Sequence, residues 1–241
     1  MTVSIKAQSV GLRYRILRPL TLRPKDKRLL KTGGTISGSG RRQHVQALED
    51  VSFELSAGDR LGLVGANGAG KTTLLKMLYG IMEPTSGSLS ISGRVDALFN
   101  INLGFRPEAT GRRNIELRGL INGWTRQQIE EAMPEIIEFS ELGDFIDMPF
   151  KSYSQGMAAR LAFSVATTLT PEILLMDEWI GAGDAAFQKK AGERMNALTG
   201  QAGIVVLASH NDKLIQRVCN KVLVLEKGRV KKFAPLEKKP A

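Results

Sequence analysis

Residues 65–72 read GANGAGKT. The strand-like apolar run LGLV (61–64) precedes them and the helix-forming run TLLKML (73–78) follows. This is the pattern G-x-x-x-x-G-K-[ST], and its strand–loop–helix setting is the one the pattern needs. Glycines let the backbone wrap tightly, so that successive N–H groups point at phosphate oxygens. The start of the following helix adds partial positive charge. The loop therefore predicts contacts from Gly65, Asn67, Gly68, Ala69, Gly70 and Thr73 to a nucleoside triphosphate, ATP. Lys71 is expected to reach the β- and γ-phosphates, and Thr72 to offer its hydroxyl to Mg²⁺.

A second run, ILLMDE at residues 173–178, reads as a buried strand ending in two carboxylates. Such an ending is common by itself. Beside a phosphate loop it acquires meaning, because strand C-terminal ends line the ligand crevice of open α/β sheets. Asp177 is expected to hold Mg²⁺ through water. Glu178, one residue on, is expected to point to the other side of the strand and to polarise the attacking water as general base.

The rest of the chain alternates strand and helix around a helical middle. Strands are predicted at 3–16, 51–55, 60–64, 88–92, 95–99, 173–176 and 204–209, then a hairpin at 221–226 and 229–233 turning at Lys227-Gly228. Helices are predicted from about Lys71, then at 112–121, 125–139, 155–169, 186–198 and 212–218, with Thr125 and Ser154 as caps. The tract TGGTISGSG (32–40) reads as a flexible connection. These elements predict an α/β sheet core with a helical subdomain at about 106–170.

Composition narrows the classes. No apolar run approaches the roughly 18 residues of a membrane helix, and no signal peptide is visible. The one cysteine, Cys219, permits no intrachain disulfide and reads as a small core residue in a reducing setting. His44 has no motif around it. The net charge of +10 is concentrated: residues 1–48 hold eleven Lys/Arg and one acid, Asp26, while bases and acids balance in the remainder.

Further elements, in order, make the chain resemble an ABC-transporter nucleotide-binding domain over nearly its whole length. Residues 153–157, YSQGM, stand where that family has its signature loop, LSGGQ in the commonest form; Ser154 and Gly156 match, and Tyr153, Gln155 and Met157 do not. Asp184 stands at the D-loop aspartate and His210 at the switch histidine. Tyr14 is the upstream aromatic able to stack on adenine, or else a buried strand residue. The glutamine that usually senses Mg²⁺ and the membrane partner has no counterpart in ALFNINLGFRP (97–107). Asn100 or Asn102 offers a shorter amide there, and Asn100 is carried as a metal-site candidate. The resemblance implies a P-loop NTPase sheet core with an antiparallel β subdomain and the helical insertion within one ABC ATPase domain. Residues 1–50 would form a strand and basic insertion, 51–105 with 171–241 the catalytic core, and 106–170 the helical subdomain.

Within the family, YS-x-GM, LGF-x-PE-x-TG-x-x-N (103–114) and DE-x-x-x-x-GD-x-x-FQKK (177–190) resemble the ATPases of bacterial polysaccharide exporters, which move O-antigen, capsule or teichoic-acid chains. Residues 226–241 hold only the end of the predicted closing hairpin and a short tail, so the carbohydrate-binding domain some members carry is not expected. The resemblance implies a head-to-tail homodimer, in which Ser154, Gln155 and Gly156 of one copy close over ATP held by the other. It also implies an integral membrane permease that handles a lipid-linked glycan, and a peripheral place on the cytoplasmic face of the bacterial inner membrane. Alternatives are the ATPase subunit of another ABC transporter, or a soluble ABC ATPase acting on nucleic acid or ribosomes. Nucleic acid is not expected as a partner, because such ATPases usually carry two cassettes or a long coiled coil in one chain. The basic segment reads either as a solvated loop or as a contact with an anionic leaflet, with Ile16-Leu17 and Leu29-Leu30 dipping in on a short helix.

Overall fold

The structure, a computed structural model, describes residues 2–15, 35–37, 43–99, 104–168, 171–178 and 184–236. Residues 16–34 and 38–42 of the N-terminal segment, with Ile16-Leu17 and Leu29-Leu30, and Asn100 and Asn102 lie outside the described residues. The chain packs as two compact units: Met1–Ala97, Pro171–Trp179 and Ala202–Ala241 form the first, and Leu98–Thr170 with Ile180–Gln201 the second.

The first unit is built on two sheets. One is antiparallel, formed by β1 (Ser4–Arg15), β2 (Thr35–Ser37), β3 (His44–Ser56) and β5 (Ser86–Ser92) in the order β2-β3-β1-β5. The strand β2 lies inside the tract expected to be flexible: Ile36 pairs with Val45 in an antiparallel ladder, so backbone bonding gives order where composition suggested none. The other sheet contains β4 (Arg60–Val64), β6 (Val95–Ala97), β7 (Ile173–Asp177), β8 (Ile204–Ala208), β9 (Lys221–Glu226) and β10 (Arg229–Pro235), ordered β10-β9-β4-β8-β7-β6. Strands β9, β4, β8, β7 and β6 run parallel to their neighbours, and β10 closes the edge antiparallel to β9.

The central strands explain their sequences. All five residues of β8 (IVVLA) and the first four of β7 (ILLM) are buried, as parallel strands covered on both faces require. The parallel direction brings the carboxyl ends of β4, β7 and β8 to one edge, where ligands bind in such sheets. Helix α1 (Lys71–Leu78) leaves from β4 there.

The second unit contains α2 (Gly111–Ile121), α3 (Arg126–Ser140), α4 (Gln155–Ala166) and α5 (Ala185–Gln201). Ile115, Trp124, Ile129, Ile136, Leu161 and Val165 form its core. Thr125 and Gln128 cap α3 reciprocally, and the Ser154 side chain caps α4, as the spacing predicted. The helix α5 groups with this unit, whereas the sequence assigned it to the catalytic core. The reason is aromatic packing: Phe187 lies edge-on to Phe139 and Phe163, with ring centroids 5.6 and 6.1 Å away. Among the described residues no helix is long and apolar enough to cross a membrane.

Candidate nucleotide site

A cleft of about 500 Å³ opens at the carboxyl edge of the first unit. Its lining brings together Tyr14, Asn67, Gly68, Gly70, Lys71, Thr72, Thr73, Asp177, Glu178 and His210, all expected from the sequence. Val45 and Ala47 also line it; no sequence signal marked them. Val45 is there because it is paired with Tyr14 across β1 and β3.

The loop backbone is shaped for close approach. Gly70 has φ of 111°, and a Cβ there would stand 2.8 Å from Leu48 Cδ2 and 3.1 Å from the Ala47 carbonyl oxygen. It precedes α1 with no side chain to cap the helix, whereas α2, α3, α4 and α6 (Asp212–Val218) each receive a side-chain cap. An uncapped helix start presents N–H donors and partial positive charge to an anion. From behind, the Gly228 N–H of the β9–β10 turn donates to the Ala69 carbonyl at 2.9 Å. That buttress was not visible in the sequence.

Lys71 is buried to 8% exposure. Its Nζ donates to the carbonyls of Gly65 at 2.7 Å and Ala66 at 3.2 Å, and stands 3.4 Å from His210 Nε2. The Thr72 hydroxyl donates to Asp177 Oδ2 at 2.7 Å. One hydroxyl beside one carboxylate suits Mg²⁺, which keeps several waters and takes its remaining ligands from substrate phosphates. Among the described residues there is no cluster of three or more acidic, histidine or cysteine side chains.

Glu178 departs from the expectation that it faces away from Asp177. Both carboxylates line the same cleft. The strand ends at Asp177, and Glu178 has φ of 76°, so strand alternation no longer governs its direction. Its Oε2 accepts the Ser209 hydroxyl at 2.8 Å, and its Oε1 the His210 N–H at 3.1 Å. A left-handed backbone at a non-glycine residue costs on the order of 1–3 kcal/mol and is retained where the surroundings over-determine it.

Tyr14 is 37% exposed, not a buried strand aromatic, and its hydroxyl donates to Met82 Sδ at 3.0 Å. Ser154, Gln155, Gly156 and Asp184 belong to the second unit and do not line the cleft. The Ser154 oxygen accepts the Met157 N–H at 3.2 Å, which leaves its own proton free to donate. Tyr153 and Met157, where the signature departs from its commonest form, pack against that unit's core. Asp184 caps α5 by accepting the Phe187 N–H at 3.0 Å and is paired with Arg160. The Phe187 N–H first, and then Arg160, hold its carboxyl below the ordinary carboxylate value.

The family model for "ABC transporter" matches residues 48–181, which contain the loop, the signature position and the acidic pair. The chain belongs to the ABC transporter family. It is accordingly an ATP-binding, ATP-hydrolysing cassette of that family. It is 46% identical over 202 residues to the O-antigen export system ATP-binding protein RfbE of Yersinia enterocolitica, covering 83% of this chain and 84% of that one. It is 38% identical over 237 residues to the teichoic acids export ATP-binding protein TagH of Staphylococcus haemolyticus, covering 98% and 86%. In fold it resembles a dimeric ATP-binding cassette in a post-hydrolysis state bound to ADP and Pi, with a TM-score of 0.69, 18% identity, and coverage of 97% of this chain and 99% of that one.

Proposed function

We propose that this ABC ATPase drives export of a lipid-linked polysaccharide through a separate membrane permease. The cargo is supported by the O-antigen and teichoic-acid relatives and by the three subgroup motifs. The observation that carries the chemistry is the meeting of Lys71, the Thr72–Asp177 pair and Glu178 in one cleft. In this reading the loop amides and Lys71 hold the phosphates in line for displacement. Thr72 and Asp177 hold Mg²⁺, which when bound neutralises charge developing on the phosphoryl oxygens. Glu178 takes the proton of the attacking water, and His210 stands beside it at the γ-phosphate end. Tyr14 stacks on adenine. Two copies associate head to tail, and Ser154, Gln155 and Gly156 of one donate to the γ-phosphate held by the other. The chain then works at the cytoplasmic face of the inner membrane, bound to the permease.

The direct test is Glu178→Gln. Hydrolysis should slow about 10²–10⁴-fold, the usual contribution of a general base, while ATP still binds. With ATP the variant should accumulate as a dimer in light scattering. Hydrolysis at the parental rate would remove Glu178 from the mechanism. Export itself is tested by deleting the gene in its host: the lipid-linked glycan should accumulate inside, and unchanged surface polysaccharide would refute the assignment.

A further inference from the structure

Ser209 is a buried side chain hydrogen-bonded to the carboxylate of Glu178, and nothing in the chemistry above uses it. It follows β8 and is 2% exposed. Its Oγ contacts Glu178 Oε2 at 2.8 Å and accepts the Asn211 N–H at 3.1 Å. The direction of each bond is set. The Asn211 amide gives its proton to Oγ and takes none, so the single hydroxyl proton goes to Glu178. The loop carrying this hydroxyl is itself pinned at both ends. The Ser209 N–H donates to the Leu63 carbonyl of β4 at 3.4 Å, two residues before the phosphate loop. On the other side the Asn211 side chain caps α6 through the Leu214 N–H at 3.2 Å.

Glu178 depends on such a support. Its backbone has left the strand conformation, so the pleat of β7 does not aim its side chain. The carboxylate is aimed instead by two consecutive residues of the loop after β8, one on each oxygen: the Ser209 hydroxyl and the His210 N–H. Each oxygen keeps a lone pair beyond the bond it accepts, and two fixed donors decide where those lone pairs face.

We infer that Ser209 is a positioning residue for hydrolysis, holding the Glu178 carboxylate in the orientation from which it takes the proton of water. The inference rests on Glu178 being the base. It ties the base to β4 and the phosphate loop, so that base and bound phosphates share one frame. A displacement of about 1 Å at a reacting group costs about 10²-fold in rate.

The test uses the full chain with ATP and Mg²⁺ and compares Ser209→Ala, Ser209→Thr, Glu178→Gln and the Ser209→Ala/Glu178→Gln double variant. Ser209→Ala should lower kcat by about 10–100-fold with KM for ATP unchanged, because positioning acts on the chemical step rather than on uniform binding. Ser209→Thr, which restores the hydroxyl, should recover most of the rate. In the double variant the alanine should cost nothing beyond Glu178→Gln, since its effect passes through that carboxylate. Ser209→Val has the shape of Ser209→Thr without the hydroxyl; if alanine impairs folding, a low kcat in the folded valine variant beside an active threonine variant carries the same meaning. Parental kcat in Ser209→Ala or Ser209→Val, or an equal further loss in the double variant, overturns the inference while a slow Glu178→Gln leaves the base standing. Parental hydrolysis by Glu178→Gln overturns both.

Discussion

Asn114 shows how a single side chain can specify a loop. It is 1% exposed. Its Oδ1 accepts the Arg106 N–H at 2.6 Å, and its Nδ2 donates to the carbonyls of Arg106, Ala109 and Thr110 at 3.0–3.2 Å. The subgroup motif LGF-x-PE-x-TG-x-x-N is thereby explained as a turn wrapped around one amide, with Thr110 capping the helix that follows. The functional reading of that motif came from resemblance; its physical content is loop closure. Asn114→Ala leaves buried backbone groups without partners, at about 1–3 kcal/mol. For a domain of this size that is roughly 3–10 °C in melting temperature, readable by circular dichroism. An unchanged Tm would show that the loop holds without the amide.

At the scale of elements, propensity and packing oppose each other at the start of α2. Ala is better than Gly inside a helix by about 1 kcal/mol, so propensity alone favours Gly111→Ala. The structure reverses the sign. A Cβ at Gly111 would collide with the Tyr153 hydroxyl and stand 2.9 Å from the Ile146 carbonyl oxygen. Tyr153 cannot easily withdraw, because its hydroxyl donates to the Phe145 carbonyl at 2.7 Å. Overpacking of this kind costs about 1–3 kcal/mol, so Gly111→Ala should lower the denaturant midpoint. Adding Tyr153→Phe should return part of the loss by removing the nearest atom. A midpoint that rises in Gly111→Ala would mean that helix propensity outweighs the contact.

For the whole molecule the decisive question is whether one chain suffices. The cleft of the first unit contains the phosphate loop and both carboxylates, and Ser154, Gln155 and Gly156 belong to the second unit. In the proposed head-to-tail dimer those residues come from a second copy, so the sites are composite. Lys71→Ala removes a phosphate contact, and Ser154→Arg blocks closure over the other copy's ATP. Each variant alone should be inactive. Mixed in equal amounts they should regain activity, because the hybrid dimer has one site with both defects and one with neither. Full activity in either variant alone would refute composite sites.

The phosphate loop, the acidic pair, the order of elements and the caps Thr125 and Ser154 were legible in the sequence. Each is a local pattern: a glycine spacing, an apolar run with its ending, a hydroxyl before a helix. The same holds for the expectation of an α/β sheet with inserted helices, since hydrophobic periodicity is set by the secondary structure it occupies. What joins residues far apart in the chain could not be read this way. Val45 reaches the cleft through its register with Tyr14, and β2 forms only because β3 offers it an edge. Helix α5 joins the second unit through Phe187, and the Gly228 N–H supports Ala69 across the chain. The direction of Glu178 was misjudged because alternation holds only inside a strand, and its backbone turns as β7 ends. Ser209 is an ordinary serine in sequence. It acquires its place beside the carboxylate only because β7 and β8 lie side by side in parallel, which brings residues 178 and 209 to the same edge.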